Sequence, residues 1–276
     1  MGWGTGFVQE WKEAGILSIT GMGSDPGTSN VFSKYGVEEL DQAEEIHIRY
    51  GSSTTGVTFS FAIDTYIGEF LQEAVAVKDG KVVNIPPLGD EEDTQFHEKV
   101  GMQKTYSIIH SELATLPESF PEVKKITYKD TWDPSTIEQL ESLEALGLLD
   151  ENPLTIREEE VIPRKQTVSL LQTALAQKET PEWGTDALLV EVKGRKNGNK
   201  ASVKLELLTE YQPEWEATPT QYATAIPASI VAQMILKGEI SGKGVKPAEQ
   251  CVDPYKYIEH LKKKNIELEI TYSETR

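Results

Sequence analysis

The alternation of apolar and polar residues along the chain predicts short strands joined by tight turns. Ten segments have this pattern: 16–20, 45–50, 57–63, 74–77, 82–85, 106–110, 125–128, 187–194, 201–210 and 266–272. Asp79-Gly80 separates one pair of these segments and Asn197-Gly198 separates another. Both dipeptides are typical of two-residue hairpin turns, so the strands are expected mainly in antiparallel pairs.

Apolar residues at three- and four-residue spacing predict helices between these strands. The predicted helices run from 28 to about 35, from Pro134, from Pro163, from about Tyr222 to Leu236, and from Pro254 to Lys264. The stretch 89–99 is polar and carries the acidic run 90–93, which we expect to be a solvated loop. The pattern as a whole predicts an α+β fold, with a mostly antiparallel or mixed sheet and helices packed on one face.

Composition and charge argue against nucleic acids and membranes as binding partners of this protein. The chain has 276 residues, 45 acidic against 27 basic, and a formal net charge of −18. Nucleic-acid binding requires clustered cations, and the one basic run, 262–264, lies at a predicted helix end, so we expect no nucleic-acid partner. No apolar run is long enough to cross a bilayer, and the N-terminus does not resemble a secretory signal. With Cys251 as the single cysteine, these features favour a cytoplasmic protein without a membrane partner.

The glycine-rich turn after the first strand leaves three interpretations open. The strand, turn and helix over 16–35 imitate a dinucleotide-binding turn, but Pro26 stands where a glycine is required and Gly27 comes one position late. No second parallel strand-helix-strand unit follows. The alternatives are a tight turn at a helix N-terminus, or a loop whose free N–H groups and Asp25 line a ligand cleft.

Other motifs for chemistry are scarce. The histidines His47, His97, His110 and His260 include no pair three or four residues apart, and no cysteine lies near them, so no metal site is expected. Nucleophile and phosphate-loop motifs are also absent from the sequence.

Several segments, in order along the chain, resemble proteins of the saccharopine dehydrogenase family. They are Ala14-Gly15-Ile16 with the stretch 21–30, Phe59-Ser60-Phe61, 74–88, His110-Ser111-Glu112-Leu113 with Thr115-Leu116-Pro117, Leu146-Gly147-Leu148, Thr224-Ala225 with Pro227-Ala228, and 244–249. Each segment is weakly specific, but their common order covers nearly the whole chain.

The resemblance implies an oxidoreductase that acts on an amine or imine carbon of a small amino-acid-like substrate. The family includes saccharopine reductases, lysine 6-dehydrogenases and carboxynorspermidine dehydrogenases. NAD or NADP is held in these relatives by an N-terminal Rossmann domain, and this chain resembles the portion after it, so the chain alone is not expected to bind the dinucleotide. Residues 1–220 are expected to form a substrate-binding and dimerisation domain, and 221–276 the C-terminal helices and strand that in relatives pack toward the Rossmann domain.

The resemblance also suggests where substrate is bound. The expected substrate-binding residues are Gly23, Asp25, Gly27, Asn30, Ser52, His110 and Glu112. Catalytic and cofactor-binding residues are not assigned. The sequence departs from some relatives at Asp64, where they carry an arginine that could bind a substrate carboxylate, and at 131–134.

Two functions of different class follow. The chain is either the substrate side of such an oxidoreductase or a catalytically silent binding or oligomerisation protein derived from it. In both cases a two-fold homodimer is expected, with the 187–210 hairpin in its interface. Four apolar residues of the C-terminal helices are expected to be unusually exposed: Ile230, Val231, Met234 and Ile235.

Overall fold

A computed structural model describes residues 8–55, 59, 61–176 and 183–275. The strands are β1 (Leu17–Thr20), β2 (Gln42–Ser52), β3 (Ala74–Lys78), β4 (Lys81–Ile85), β5 (Glu92–Gln95), β6 (Met102–Ser107), β7 (Lys125–Thr131), β8 (Leu154–Ile156), β9 (Glu159–Val161), β10 (Asp186–Lys196), β11 (Asn199–Thr209), β12 (Gly244–Pro247) and β13 (Glu267–Thr275). The helices are α1 (Val8–Glu13), α2 (Thr28–Glu39), α3 (Ile63–Leu71), α4 (Leu116–Ser119), α5 (Pro134–Ala145), α6 (Pro163–Leu175), α7 (Pro219–Leu236), α8 (Ala248–Cys251) and α9 (Pro254–Leu261), with a 3₁₀ turn at Ser111–Ala114.

One mixed sheet dominates the molecule. Its main strand order is β13-β11-β10-β2-β7-β3-β4. Strand β6 pairs with the C-terminal end of β7 and also with β5. Strands β2 and β7 run parallel, whereas the other pairs in this sheet are antiparallel. The predicted α+β class with a mixed sheet is therefore confirmed.

The hairpin of β10 and β11 has the register that its turn residues predict. Asn197 and Gly198 both have positive φ, 52° and 81°, as a type I′ turn requires. Pairing extends from Lys196 opposite Asn199 to Asp186 opposite Thr209. A two-residue turn thus fixes which side chains of both long strands face the core.

The apolar face of the sheet is covered by helices of the same chain. Helix α2 packs on β10, and α7 packs on β11 and α9. Within this core Ile46, Ile48, Val190 and Val192 are fully buried, and a Cβ on Gly36 of α2 would lie 2.4 Å from Val192. The apolar side of the hairpin therefore has its packing partner within the chain.

The opposite face of the sheet is largely charged, apart from an apolar cluster of Phe96, Val100, Ala187, Leu189 and Leu208. Arg49 and Lys129 are almost fully buried there, and both bind Glu92: Arg49 Nε lies 2.6 Å from Oε1, and Lys129 Nζ lies 2.7 Å from Oε2. The prediction that 89–99 is only a solvated loop is wrong, because Glu92 begins β5 and the two cations hold it against the sheet.

Three further predictions need correction. The strand predicted over 57–63 falls partly outside the described residues, and Ile63 begins α3 rather than ending a strand. The strand predicted over 106–110 runs instead from Met102 to Ser107, because it pairs with β7. The expected exposure of the C-terminal helices is wrong for Ile230, Val231 and Met234, which are buried against the sheet, although Ile235 is 41% exposed.

A second, two-stranded parallel sheet joins distant parts of the chain. Strand β1 pairs with β12, with Leu17 opposite Gly244 and Thr20 opposite Pro247. The turn that follows β1 is thereby fixed next to the segment that leads into α8. In the described part of the chain, no helix combines the length and apolarity needed to span a bilayer.

Candidate functional site

A cavity of ≈ 410 Å³ opens at the carboxyl ends of the two parallel strands. Along β2 the inward side chains change from Ile46 and Ile48, which are in the core, to Tyr50 and Ser52, which line the cavity. Along β7 the same parity leads from Ile126 through Tyr128 to Asp130. Ligand sites commonly lie beyond the carboxyl ends of parallel strands, since the side chains there are free of the core.

Asp25 enters the cavity from the turn before α2. The hydroxyl of Tyr128 donates a hydrogen bond to Oδ2 of Asp25. Burial raises the pKa of Asp25 to about 6, although the positive charge of His110 opposes this shift. Asp25 therefore gains a proton unusually easily for a carboxylate.

His110 is stacked on Tyr128 and bound to a buried carboxylate behind the cavity wall. The centroids of the His110 and Tyr128 rings are 3.9 Å apart, and the two ring planes are nearly parallel, with an angle of 4° between them. His110 Nδ1 donates to Oε2 of Glu112 at 2.5 Å, and Ser29 Oγ donates to Oε1 of Glu112 at 2.6 Å. Burial alone would lower the pKa of His110, but the charge and hydrogen bond of Glu112, with Asp25 and Glu69, raise it to about 10.

Two further carboxylates face this group. Glu69 projects from α3 and Asp130 from the end of β7. Burial raises the pKa of Glu69 to about 7, and burial together with the charges of Asp25 and Glu69 raises the pKa of Asp130 well above its usual range. Neighbouring carboxylates that resist ionisation together form a site that an added cation would stabilise.

A separate carboxylate, Asp186, is held by three hydroxyl groups at the start of β10. Tyr50 donates to Oδ2 at 2.5 Å, Thr220 donates to the same oxygen at 2.7 Å, and Ser52 donates to Oδ1 at 2.6 Å. Burial raises the pKa of Asp186, while the hydrogen bonds of Ser52 and Tyr50 oppose the shift. The predicted residue Ser52 thus lies in the cavity wall and orients Asp186.

Aromatic side chains complete the wall. The rings of Tyr66 and Trp132 are 4.3 Å apart, and Phe61 lies 5.2 Å from Tyr66. Nε1 of Trp183 also belongs to the wall and is buried without a hydrogen-bond partner among the described residues. It is a donor that a ligand could satisfy.

The remaining predicted residues lie behind the wall. Gly27 has φ 127°, and a Cβ there would lie 2.3 Å from Gly23 N, so these glycines allow the turn to fold back on itself. Asn30 accepts from Gly27 N at 3.0 Å and donates to the buried Glu249 at 3.0 Å. Of the seven predicted residues, Asp25, Ser52 and His110 line the cavity, whereas Gly23, Gly27, Asn30 and Glu112 support it.

The first N–H groups of α2 are not free donors, contrary to the interpretation of this turn as a loop whose free N–H groups line a cleft. Thr28 N donates to Gly23 O at 2.9 Å, and Ser29 N donates to Ser24 O at 3.0 Å. Gly27 N is bound to Asn30, so three successive N–H groups that could hold a phosphate are occupied. The described residues around this turn therefore do not fit a dinucleotide.

Glu69, Asp130 and Asp186 were missed by sequence reasoning. The sequence did contain a signal for Asp130. Ile126, Tyr128 and Asp130 alternate along β7 and therefore share one face, and this face changes from apolar to polar toward the end of the strand. Asp186 and Glu69 had no comparable signal, since the fold brings them to the cavity from distant segments. In the described residues no group of three or more His, Cys, Asp or Glu side chains is arranged to hold a metal ion.

Comparisons with known proteins agree on one family. Two curated relatives are a carboxynorspermidine synthase of Vibrio alginolyticus, 26% identical over 94% of this chain, and a carboxyaminopropylagmatine dehydrogenase of Synechocystis, 23% identical over 94%. The matched region covers 64% and 66% of those proteins, so this chain spans slightly less than two thirds of their length.

A solved structure shows the same fold. The apo saccharopine dehydrogenase (L-Glu forming) of Saccharomyces cerevisiae matches with a TM-score of 0.69 and 14% identity, over 97% of this chain and 76% of that one. The profile of the saccharopine dehydrogenase C-terminal domain matches residues 23–266. The chain therefore belongs to the saccharopine dehydrogenase C-terminal domain family.

Proposed function

We propose that this chain is the substrate-binding side of an NAD(P)-dependent oxidoreductase that interconverts an amine and an imine, and that its cavity holds a di- or polyamine. The fold and family are those of the curated relatives described above, two proteins whose names refer to carboxynorspermidine and carboxyaminopropylagmatine. Both names denote amines that carry a carboxyl group.

One observation carries the proposal: the cavity wall is acidic. It includes Asp25, Glu69, Asp130 and Asp186, and no lysine or arginine lines it in the part of the chain that the structure describes. Burial raises the pKa of each of these carboxyls, so their ionised forms lack the stabilisation that water would give them. An amine arrives as an ammonium ion and supplies the missing positive charge.

The acidic residues lie in two separate places in the wall, which suits a substrate with more than one amine. Asp25, Glu69 and Asp130 influence one another's ionisation, whereas Asp186 has its own hydroxyl partners. The rings of Tyr66 and Trp132 offer an apolar surface for the carbon chain and π-faces for an ammonium group. We place the amino-acid-like end of the substrate at the cavity mouth, because a carboxylate would be repelled by the wall.

The proposal assigns NAD or NADP to a dinucleotide-binding domain that the described residues do not form. In support of this assignment, the first two N–H groups of α2 are bound by the preceding turn, and the N-terminus of the helix is buried. What this chain contributes is the amine pocket and its protonation chemistry.

Calorimetric titration tests the amine pocket directly. Putrescine should bind at least about tenfold more tightly than butylamine, which has the same carbon chain and one amine. Asp130→Asn should weaken putrescine binding by about tenfold or more, because a carboxylate facing the cation is lost. The matched control Asp93→Asn removes one exposed charge outside the cavity and should have no such effect.

Succinate serves as the opposite probe. A cavity that binds this four-carbon dianion more tightly than putrescine would contradict the proposal, and so would an Asp130→Asn variant that binds putrescine as well as the parent chain.

A further inference from the structure

His110 occupies a distinctive place in the cavity wall. Of the described residues that line the cavity, it carries the single imidazole and the single cationic side chain. It follows β6 in extended conformation, φ −145° and ψ 152°, and directly precedes the 3₁₀ turn that carries Glu112. The ring therefore projects from a backbone segment held between the sheet and a helical turn.

The orientation of the imidazole is fixed on two sides. Tyr128 supports one face of the ring, and Nδ1 is bound to Glu112. Glu112 is fully buried, and Ser29 on α2 fixes its second oxygen. Nε2 lies on the opposite edge of the ring and has no hydrogen-bond partner within the described structure, so it is the nitrogen left to face the cavity.

We propose that Nε2 of His110 is the proton donor of this cavity, with Glu112 and Ser29 as positioning residues. The inference rests on the proposed function and names the group that handles its proton. An imine forms when an amine adds to a carbonyl carbon and the resulting carbinolamine loses water. His110 gives its Nε2 proton to the carbinolamine hydroxyl, the C–O bond breaks, and water leaves. The nitrogen lone pair forms the C=N bond, which leaves an iminium ion and a neutral imidazole. In the reverse direction the neutral imidazole takes the proton from the attacking water.

The charges around His110 couple this step to substrate binding. The groups that face it are Glu112 from the 3₁₀ turn, Asp25 from the turn before α2, Glu69 from α3, and Tyr128 and Asp130 from β7. In the free protein the carboxylates keep the imidazole protonated, with a pKa of about 10. A substrate ammonium beside Asp25 and Glu69 offsets their field and lowers that pKa, so the proton is released more easily when the amine is present.

Histidine Cε1 signals in proton–carbon NMR spectra report this coupling. The signal of His110 is assigned by its absence in His110→Gln or, if that variant does not fold, by elimination with His47→Gln, His97→Gln and His260→Gln. Titration from about pH 5 to about pH 11 should show His110 changing charge far above the ordinary histidine range. Saturating putrescine should lower the pKa of His110 by about one unit or more.

Kinetics of this chain together with the dinucleotide-binding domain that the proposed function requires give a second readout. His110→Gln should lower kcat by about a hundredfold or more with little change in KM for the amine. Glu112→Gln should shift the pH profile of kcat, and Glu112→Asp should restore it. His260→Gln is the matched control.

The outcomes separate the two proposals. If putrescine binds but leaves the pKa of His110 unchanged, or if His110→Gln retains full kcat, the proton-donor assignment is overturned and the amine pocket stands. If putrescine does not bind, both the proposed function and the assignment of His110 as the proton donor are overturned.

Discussion

Arg164 on α6 binds Asp64 on α3, with Nε 2.7 Å from Oδ1. The same guanidinium donates to the Asp64 carbonyl oxygen at 2.6 Å and to Glu151 at 2.7 Å. Arg164 is almost fully buried, whereas the two carboxylates are exposed. The carboxylate of Asp64 therefore holds α6 against α3 and does not line the cavity.

This geometry predicts unequal effects of the two partners on stability. Arg164→Ala should lower the free energy of unfolding by about 2 kcal/mol, because it removes charged hydrogen bonds and buried packing. Asp64→Asn should lower it by no more than about 1 kcal/mol, because that carboxylate is exposed. Urea unfolding measures both, and equal losses would contradict the assignment.

Gly27 should tolerate no side chain. A Cβ would lie 2.3 Å from Gly23 N and 2.6 Å from Gly23 O, so Gly27→Ala should cost about 3 kcal/mol or more of stability. Gly101 is the matched control, because it also has positive φ, 77°, but open space around its Cα. Gly101→Ala should cost about 1 kcal/mol. Similar losses in thermal unfolding would show that backbone conformation alone requires glycine at position 27.

Local signals predicted most of the large elements. The hairpin at Asn197-Gly198 and the helices that begin at Pro134, Pro163 and Pro254 have their observed limits close to the predicted ones, since turn residues and N-terminal prolines act within a few positions. Strand β5 was missed because its polar residues are held by Arg49 and Lys129, which lie far away in sequence.

The candidate site was predictable only in part. The family resemblance drew attention to Asp25, Ser52 and His110, which line the cavity. The role of Glu112 as the partner of His110 follows from their two-residue separation and the 3₁₀ turn. Asp186 and Glu69 depend on the packing of β10 and α3 around the ends of β2 and β7, which no local pattern records.

The ion pairs of Glu92 should make the stability of the fold decrease at acidic pH. Burial raises its pKa, but the hydrogen bonds and charges of Arg49 and Lys129 lower it to about 2. A lowered folded-state pKa means that the ionised carboxylate stabilises the fold above its ordinary value of 4.5, and that this contribution is lost as the pH falls toward about 2. Glu92→Gln should therefore melt at a lower temperature than the parent near pH 7, with the difference shrinking in acid.

The neighbouring Glu91→Gln provides the comparison for Glu92. Glu91 is exposed and pairs with Lys104 at the surface, so its loss should change the melting temperature little at either pH. A Glu91 effect as large as that of Glu92 would contradict the role assigned to the buried cations.

We predict that the chain forms a two-fold homodimer through the charged face of its sheet. Residues of both signs alternate there, including Lys193 beside Glu191 and Lys204 beside Glu206, and such a face can complement a copy of itself across a two-fold axis. Light scattering at low micromolar concentration should give twice the mass of the chain. Lys204→Glu should weaken association, whereas Lys237→Glu, at the end of α7, should not. A monomer at these concentrations would refute the dimer.

The described chain should not bind NADH or NADPH at micromolar concentrations. Thr28 N and Ser29 N, the first two donors of α2, are already bound by the preceding turn and are not available to a pyrophosphate. Calorimetric titration checks this, and a micromolar dissociation constant would show that another part of the chain holds the dinucleotide.

The pairing of β1 with β12 has a consequence for the order in which parts of the chain fold during synthesis. Asp25 lies in the turn just after β1, yet β1 is paired only when residues 244–247 are in place. Closing so long a loop is entropically costly and slow compared with forming the hairpins. On the ribosome, Leu17–Thr20 must wait until nearly the whole chain has emerged. A nascent chain stalled before residue 244 would hold most of the central sheet but no partner for β1, so the strand that leads into the Asp25 turn would be among the last elements to pair.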